Sequence, residues 1–285
     1  MSKLGLVLEG GAMRGLFTAG VLDVLLENGV TFDGAVGVSA GAVFGCNYKS
    51  RQAGRVLRYN TRYCKDPRYC SLRSLIKTGD LYGADFCYRQ LPEELDLFDK
   101  QTYEQNPMAF YVVCTDIQTG KAVYHRCDKA DRENYEWMRA SASMPLASRP
   151  VELEGRQYLD GGIADPIPLQ FFQSAGYGKN VVVLTQPRDF FKKPDEELPL
   201  LRMALRRYPR LVDTLKKRHK VYNAETAFIR QQEKSGKVLV IAPFAPLNIG
   251  SVEKDPDELR RVYALGRRAG KEKLAKVQAF LQKVE

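Results

Sequence analysis

The run Phe32-Asp33-Gly34-Ala35-Val36-Gly37-Val38-Ser39-Ala40-Gly41 reads as an apolar strand closing in a tight turn, and Ala42 to Tyr48 after it is compatible with a helix. Strand, turn and helix are the setting in which a G-x-S-x-G pentapeptide, here Gly37 to Gly41, makes physical sense. Such a turn forces the serine into a strained backbone conformation, and the small flanking residues keep the chain from colliding with itself. The side chain of Ser39 then stands clear of the sheet at a helix N-terminus, whose dipole favours developing negative charge. A chance match in an ordinary glycine-bearing turn is the competing reading, and the rest of the chain has to decide between them.

Upstream, Leu4 to Leu8 is a short apolar run bounded by Glu9-Gly10-Gly11, as expected of a buried strand ending in a glycine turn. Leu16 to Leu26 carries Ala19, Leu22, Leu25 and Leu26 at helical spacing, and Asn28-Gly29 stops it before a second strand over Val30 to Val38. This βαβα opening predicts a parallel sheet with right-handed crossovers. Arg51 to Lys100 has no clean period and is punctuated by Pro67, Gly79, Gly83 and Pro92. It reads as short helices and loops over the sheet, either a cap above Ser39 or a plain structural insertion.

Downstream, Phe110 to Thr115 and Ala122 to His125 form a hairpin, and Asp131 caps a helix that runs to Ala142. A second hairpin, Val151 to Leu153 and Gln157 to Leu159, delivers the chain to Asp160-Gly161-Gly162. Asp165-Pro166 reads as an N-cap and first-turn proline opening a helix through Phe172, followed by a strand over Asn180 to Leu184. Gln186 to Pro199 suggests a surface loop, and Leu200 to Lys234 one or two helices with eight Lys or Arg between Arg202 and Lys220. After a last strand, Val238 to Ala242, the helix opened by Asp255-Pro256 carries Leu259, Val262, Leu274, Val277, Leu281 and Val284 on one stripe. Gly266 and Gly270 lie on that stripe and would let another element approach closely.

With 285 residues, 44% hydrophobic and 27% charged, the chain has ordinary globular composition and length for a sizeable core. No apolar run approaches the ~20 residues of a membrane span, and the N-terminus carries no secretory pattern. Six cysteines without a C-x-x-C pair argue for reduced thiols in a cytoplasmic chain and against a zinc knuckle. The net charge of +10 fits an anionic membrane surface, nucleic acid, an acidic substrate or simply solvated faces, and settles nothing alone.

An acyl-transfer serine needs a base, donors for a tetrahedral oxyanion and an acyl pocket. Gly10-Gly11-Ala12-Met13-Arg14-Gly15, at the first strand-to-helix turn, offers amides that a helix start leaves unused. A dinucleotide fingerprint fails there because Ala12 takes the second glycine position, and a P-loop fails because Gly15 is followed by Leu16-Phe17. Only two histidines exist. His125 falls on a hairpin strand, and His219 sits inside Lys216-Lys217-Arg218-His219-Lys220 on a helix, where cationic neighbours depress its basicity. Asp160 is better placed, at a strand end with Gly161-Gly162 leaving room for another turn. A dry site and a direct contact with the serine would make a carboxylate workable as the base.

Jointly, the G-G-x-x-R-G loop, the G-x-S-x-G turn and Asp160-Gly161-Gly162, with Ser141-Ala142-Ser143-Met144-Pro145 before it, resemble the patatin-like phospholipase family over Leu4 to Leu184. The resemblance implies a three-layer α/β/α sandwich with a mostly parallel central sheet; residues 1–185 are expected to form the catalytic domain, and the helical patterns of 186–285, which carry none of these motifs, to form a mainly helical C-terminal extension packed on it. It implies Ser39 as nucleophile and Asp160 as its sole partner. Gly10, Gly11, Ala12, Met13, Arg14 and Gly15 would form the oxyanion hole, with Gly11 and Ala12 the leading donors. Gly37 and Gly41 would shape the nucleophile turn, and Gly161 and Gly162 the aspartate turn. The implied chemistry is hydrolysis of (lyso)phospholipid acyl esters with no metal or cofactor. Ala12 departs from a glycine usual in the first loop, and Asp165 stands where many members have asparagine. Acyl transfer to another alcohol, or a lipid-binding module with little turnover, are the alternatives. The basic stretch Arg202 to Lys220 could meet an anionic membrane, while nucleic acid is not expected because no recognised motif appears.

Overall fold

The apolar runs become strands because alternate side chains have two faces on which to be buried. A computed structural model, describing residues 2–282, contains β1 (Leu4–Leu8), β2 (Gly34–Val38), β3 (Ala109–Asp116), β4 (Ala122–Arg126), β5 (Val151–Leu153), β6 (Arg156–Asp160), β7 (Lys179–Val183) and β8 (Val238–Ile241). Its α-helices are α1 (Gly15–Glu27), α2 (Ala40–Lys49), α3 (Arg55–Tyr63), α4 (Leu72–Thr78), α5 (Lys100–Gln105), α6 (Arg132–Ser141), α7 (Leu169–Ser174), α8 (Leu198–Ala204), α9 (Pro209–Lys234) and α10 (Pro256–Gln282). One sheet takes all eight strands in the order β5-β6-β3-β2-β1-β7-β8, with β4 also on β3. The β2-β3, β1-β2, β1-β7 and β7-β8 pairs are parallel, and the hairpin strands β4, β5 and β6 pair antiparallel.

Period-2 alternation divides the core into two layers. Leu6 and Leu8 face a cluster with Phe17 of α1, Phe44 of α2 and Val262 of α10. Val7, Val36 and Val38 face the opposite cluster, with Phe172 of α7 and Tyr222 and Ile229 of α9. The three-layer α/β/α arrangement with a mostly parallel sheet is therefore present. The small residues of the α10 stripe do what their spacing predicts. A Cβ on Gly266 would lie 1.9 Å from the carbonyl oxygen of Phe17, and one on Gly20 would lie 2.2 Å from that of Tyr263, so α1 and α10 touch backbone to backbone. Val284 of that stripe lies outside the described residues.

Two boundaries differ from the sequence reading. β2 begins at Gly34, not Val30, because the Val30 amide donates to the Leu25 carbonyl and is used in closing α1. Asp165 is not a helix cap. Pro168 follows Ile167 and disfavours helical backbone at the residue before it, so α7 starts only at Leu169. The Asp165 carboxylate instead accepts the Tyr124 hydroxyl at 2.5 Å and lies against Glu225 of α9. Arg51 to Lys100 contains α3 and α4 and a wide π-type helix, Phe86–Leu95, with Pro92 inside it. Proline has no N–H for a regular helical bond, which accounts for the irregular winding there.

Candidate active site

Strand register alone brings the two motif turns together. β2 ends with Val38 opposite Val113, while β4 pairs with β3 from Tyr111 to Thr115. A strand has two edges, so β2 and β4 lie on opposite ones. β6 pairs with Cys114 to Asp116 and overlaps β4, so it occupies the β2 edge just beyond the point where β2 stops. Ser39 leaving β2 and Asp160 ending β6 thus meet head to head along β3.

The break in the ladder is closed by a residue whose role the sequence reading did not assign. The Ser141 hydroxyl accepts the Ser39 N–H at 3.0 Å and donates to the Val113 carbonyl at 2.6 Å. Ser39 itself has φ 53° and ψ −122°, a conformation that costs an L-residue free energy and persists only where its surroundings hold it. Those surroundings leave no space for side chains: a Cβ on Gly41 would come within 2.5 Å of the Leu8 carbonyl, and one on Gly161 within 2.1 Å of that of Val113.

The Gly10 to Gly15 loop lies beside this turn because β1 pairs with β2, and a Cβ on Gly10 would fall 3.1 Å from the Ser39 Cβ. The amides of Gly10, Gly11, Ala12 and Met13 have no backbone acceptor among the described residues, whereas Arg14 donates to Gly11 and Gly15 closes the short turn onto Ala12 and Met13. Ala12 has φ 47°, a left-handed conformation that glycine adopts more readily than alanine. Glu9, buried just before the loop, anchors it. Its carboxylate accepts the Thr185 N–H at 2.6 Å and the Tyr222 hydroxyl at 2.9 Å, and the Thr185 hydroxyl donates to the Gly10 carbonyl. Burial pushes the Glu9 carboxyl up, opposed by these bonds and by the charge of Arg14. The Arg14 Nε is buried without a partner among the described residues.

Asp160 is 2% exposed. Oδ1 accepts the Gly162 N–H at 2.7 Å, and Oδ2 is buried with no hydrogen bond of regular geometry among the described residues. Burial raises its pKa from 3.8 to about 6, against the opposing pull of the Ser39 hydroxyl, the Gly162 amide and the Arg218 charge. The Ser39 hydroxyl is therefore close enough to Asp160 to favour its carboxylate form. No hydrogen bond joins His219 to Ser39 or Asp160 among the described residues, and His125 stacks on Trp137 with ring centroids 4.2 Å apart.

The C-terminal part, where no motif was read, also reaches the site. On α9, Arg218 Nε donates to the Gly162 carbonyl at 2.7 Å, Tyr222 binds Glu9, and Glu225 accepts the Ile167 N–H at 3.0 Å. Residues 218, 222 and 225 share one helix face. In sequence, Arg218 is one cation in a basic run, and only its i, i+4, i+7 spacing with Tyr222 and Glu225 hints at an inward face.

Ser39 opens on a cavity of about 350 Å³, lined by Met13, Phe44, Tyr59, Leu91 and Met138 among others. Tyr59, Leu91 and Phe98 come from residues 51–100, so that segment roofs the cavity. No described helix is long and apolar enough to cross a membrane.

Fold and site together define a three-layer α/β protein with a serine on a strained strand-to-helix turn, facing a glycine loop and a buried aspartate. The chain belongs to the patatin-like phospholipase family, whose model matches residues 6–172, and a domain of unknown function (DUF6363) matches 208–282. It is 30% identical to the uncharacterized protein YjjU of Escherichia coli over 98% of this chain and 79% of that one. Lysophospholipase nte1 of Aspergillus niger is 29% identical over 61% of this chain but only 11% of its own length. In fold, the chain is similar to VipD from Legionella pneumophila, with a TM-score of 0.50 and 12% identity over 97% of this chain and 67% of that one.

Proposed function

We propose that the protein is a serine acyl hydrolase that cleaves carboxylic esters of single-chain lipids, lysophospholipids foremost. The observation that carries this reading is the convergence of a strained Ser39 that lines the cavity, unused loop amides beside it and a buried Asp160 with a raised pKa. Ser39 Oγ attacks the ester carbonyl as its proton passes to Asp160, and the Gly10, Gly11 and Ala12 amides receive the oxyanion. Collapse breaks the ester C–O bond, and the leaving alcohol takes the proton back. Water, deprotonated by the same carboxylate, then releases the fatty acid. Ser141 holds the turn in its reactive conformation, and Arg218 holds the Asp160 turn.

The apolar lining of Met13, Phe44, Leu91 and Met138 suits an acyl chain. Arg14, in the glycine loop with its Nε buried and without a partner among the described residues, favours an anionic head group. Three relatives of the chain bear the printed name lysophospholipase, which agrees with this substrate class.

Fluorophosphonate labelling tests the assignment. Wild type should label at Ser39, Ser39→Ala should not, Asp160→Asn should label on the order of 10³-fold more slowly, and His219→Ala should label like wild type. Undiminished labelling of Ser39→Ala would remove the mechanism, and loss in a folded His219→Ala would point to a histidine base.

A further inference from the structure

The segment Ser71 to Leu81 leaves the body of the protein and returns to it at one place. The Ser71 N–H donates to the Leu81 carbonyl at 3.0 Å, closing the base of an excursion that contains α4. This base is tied to two other loops, by the Leu81 amide on the Ala147 carbonyl at 2.8 Å and by the Tyr82 hydroxyl on the Ser251 carbonyl at 3.2 Å. Leu81, Tyr82, Ala147 and Ser251 line the cavity that Ser39 opens on, so these loops form its rim.

The rim is unusually apolar on its outside. α4 buries none of its seven residues, and Leu72 and Ile76 are 72% and 86% exposed. Leu146 lies between the lining residues Pro145 and Ala147, Val252 lines the cavity itself, and Leu200 and Met203 follow the lining residue Glu197 on α8. Among the described residues, six of the ten exposed large apolar side chains are thereby rooted at the rim, whereas single exposed apolar residues need no explanation. Arg73 and Lys77 lie on α4 between and beside the apolar residues, and Arg202 shares α8 with Leu200 and Met203. Apolar side chains interleaved with cations match a bilayer whose acyl chains bury the first and whose anionic head groups neutralise the second.

We infer that α4 and the adjoining rim loops are a membrane-docking surface for anionic bilayers, seating the cavity mouth on its lipid source. This rests on the lipid-hydrolase reading, and it moves the membrane contact away from the basic run as a whole, since Arg218 faces inward.

Sedimentation of the full chain with phosphatidylcholine vesicles, with and without phosphatidylserine, tests it. The protein should partition to the mixed vesicles and less so as salt rises. Leu72→Ser with Ile76→Ser, and separately Arg73→Glu with Lys77→Glu, should each weaken partitioning about tenfold or more. Both variants should keep wild-type turnover of a soluble short-chain ester, because neither pair touches Ser39, Asp160 or the glycine loop. Absence of wild-type partitioning, or equal partitioning of the variants, overturns the inference. So does a concentration-dependent dimer that the Leu72/Ile76 variant abolishes, which would assign the surface to a second copy. Docking without ester hydrolysis by the wild type would instead count against the hydrolase reading and leave the surface standing.

Discussion

Asp160 carries conflicting demands. As the proposed base its carboxylate must be ionised, yet its surroundings remove it from water and raise its pKa to about 6. Turnover should therefore fall as pH drops through about 6, readable in kcat/KM on a soluble ester. The stability consequence has the opposite sign. A carboxyl whose folded pKa is raised favours folding while protonated, and that contribution is lost as pH rises through the folded value. The change from 3.8 to about 6 corresponds to about 3 kcal/mol. Asp160→Asn should accordingly raise Tm near pH 8 while suppressing turnover, and its advantage should vanish near pH 4. An equal Tm difference at both pH values would show that burial of the charge is not the cause. Ser39, Gly41 and Asp160 were legible in sequence because a strained serine turn and a crowded aspartate turn each demand small neighbours close along the chain. Ser141 was legible only as part of a pattern, since its bonds to Ser39 and Val113 span many residues.

Among the elements, α9 departs most from its sequence reading. A run of cations on a helix reads as a solvated or membrane-facing surface, yet Arg218, Tyr222 and Glu225 turn inward and hold three loops of the site. Removing the Arg218 charge takes away one of the influences that oppose the rise in the Asp160 pKa. Arg218→Met should move the acid limb of the kcat/KM profile to higher pH, and Arg218→Lys should keep it near the wild-type position. A rate lowered equally at every pH, with the limb unmoved, would reduce Arg218 to a structural support. The same packing explains Asp165: with Pro168 setting the helix start, its carboxylate serves the Tyr124 and Glu225 contacts rather than a helix.

Across the molecule, residues 186–282 are woven into both faces of the sheet. β8 extends it beside β7, α9 covers the face of Val7 and Val36, and α10 covers the face of Leu6 and Leu8. Apolar faces of this kind must be covered by another layer. A chain ending at residue 185 should lack a cooperative thermal transition and near-ultraviolet dichroism, whereas Arg218→Met should retain both. Native-like melting of the shortened chain would establish 1–185 as an autonomous unit.

Local features of the sequence determined the βαβα opening, the alternation that makes two buried sheet faces, the glycine-lined turns and the small-residue stripe of α10. Each follows from backbone sterics or from the period of a strand or helix, which act over a few residues. Tertiary structure alone decided that β6 takes over the β3 edge where β2 ends, which sets Asp160 against Ser39. It also decided that Ser141 bridges the break, that α9 grips the site and that residues 51–100 roof the cavity. These depend on strand register and on which helix face finds the core, and both are fixed only when distant parts of the chain are packed together.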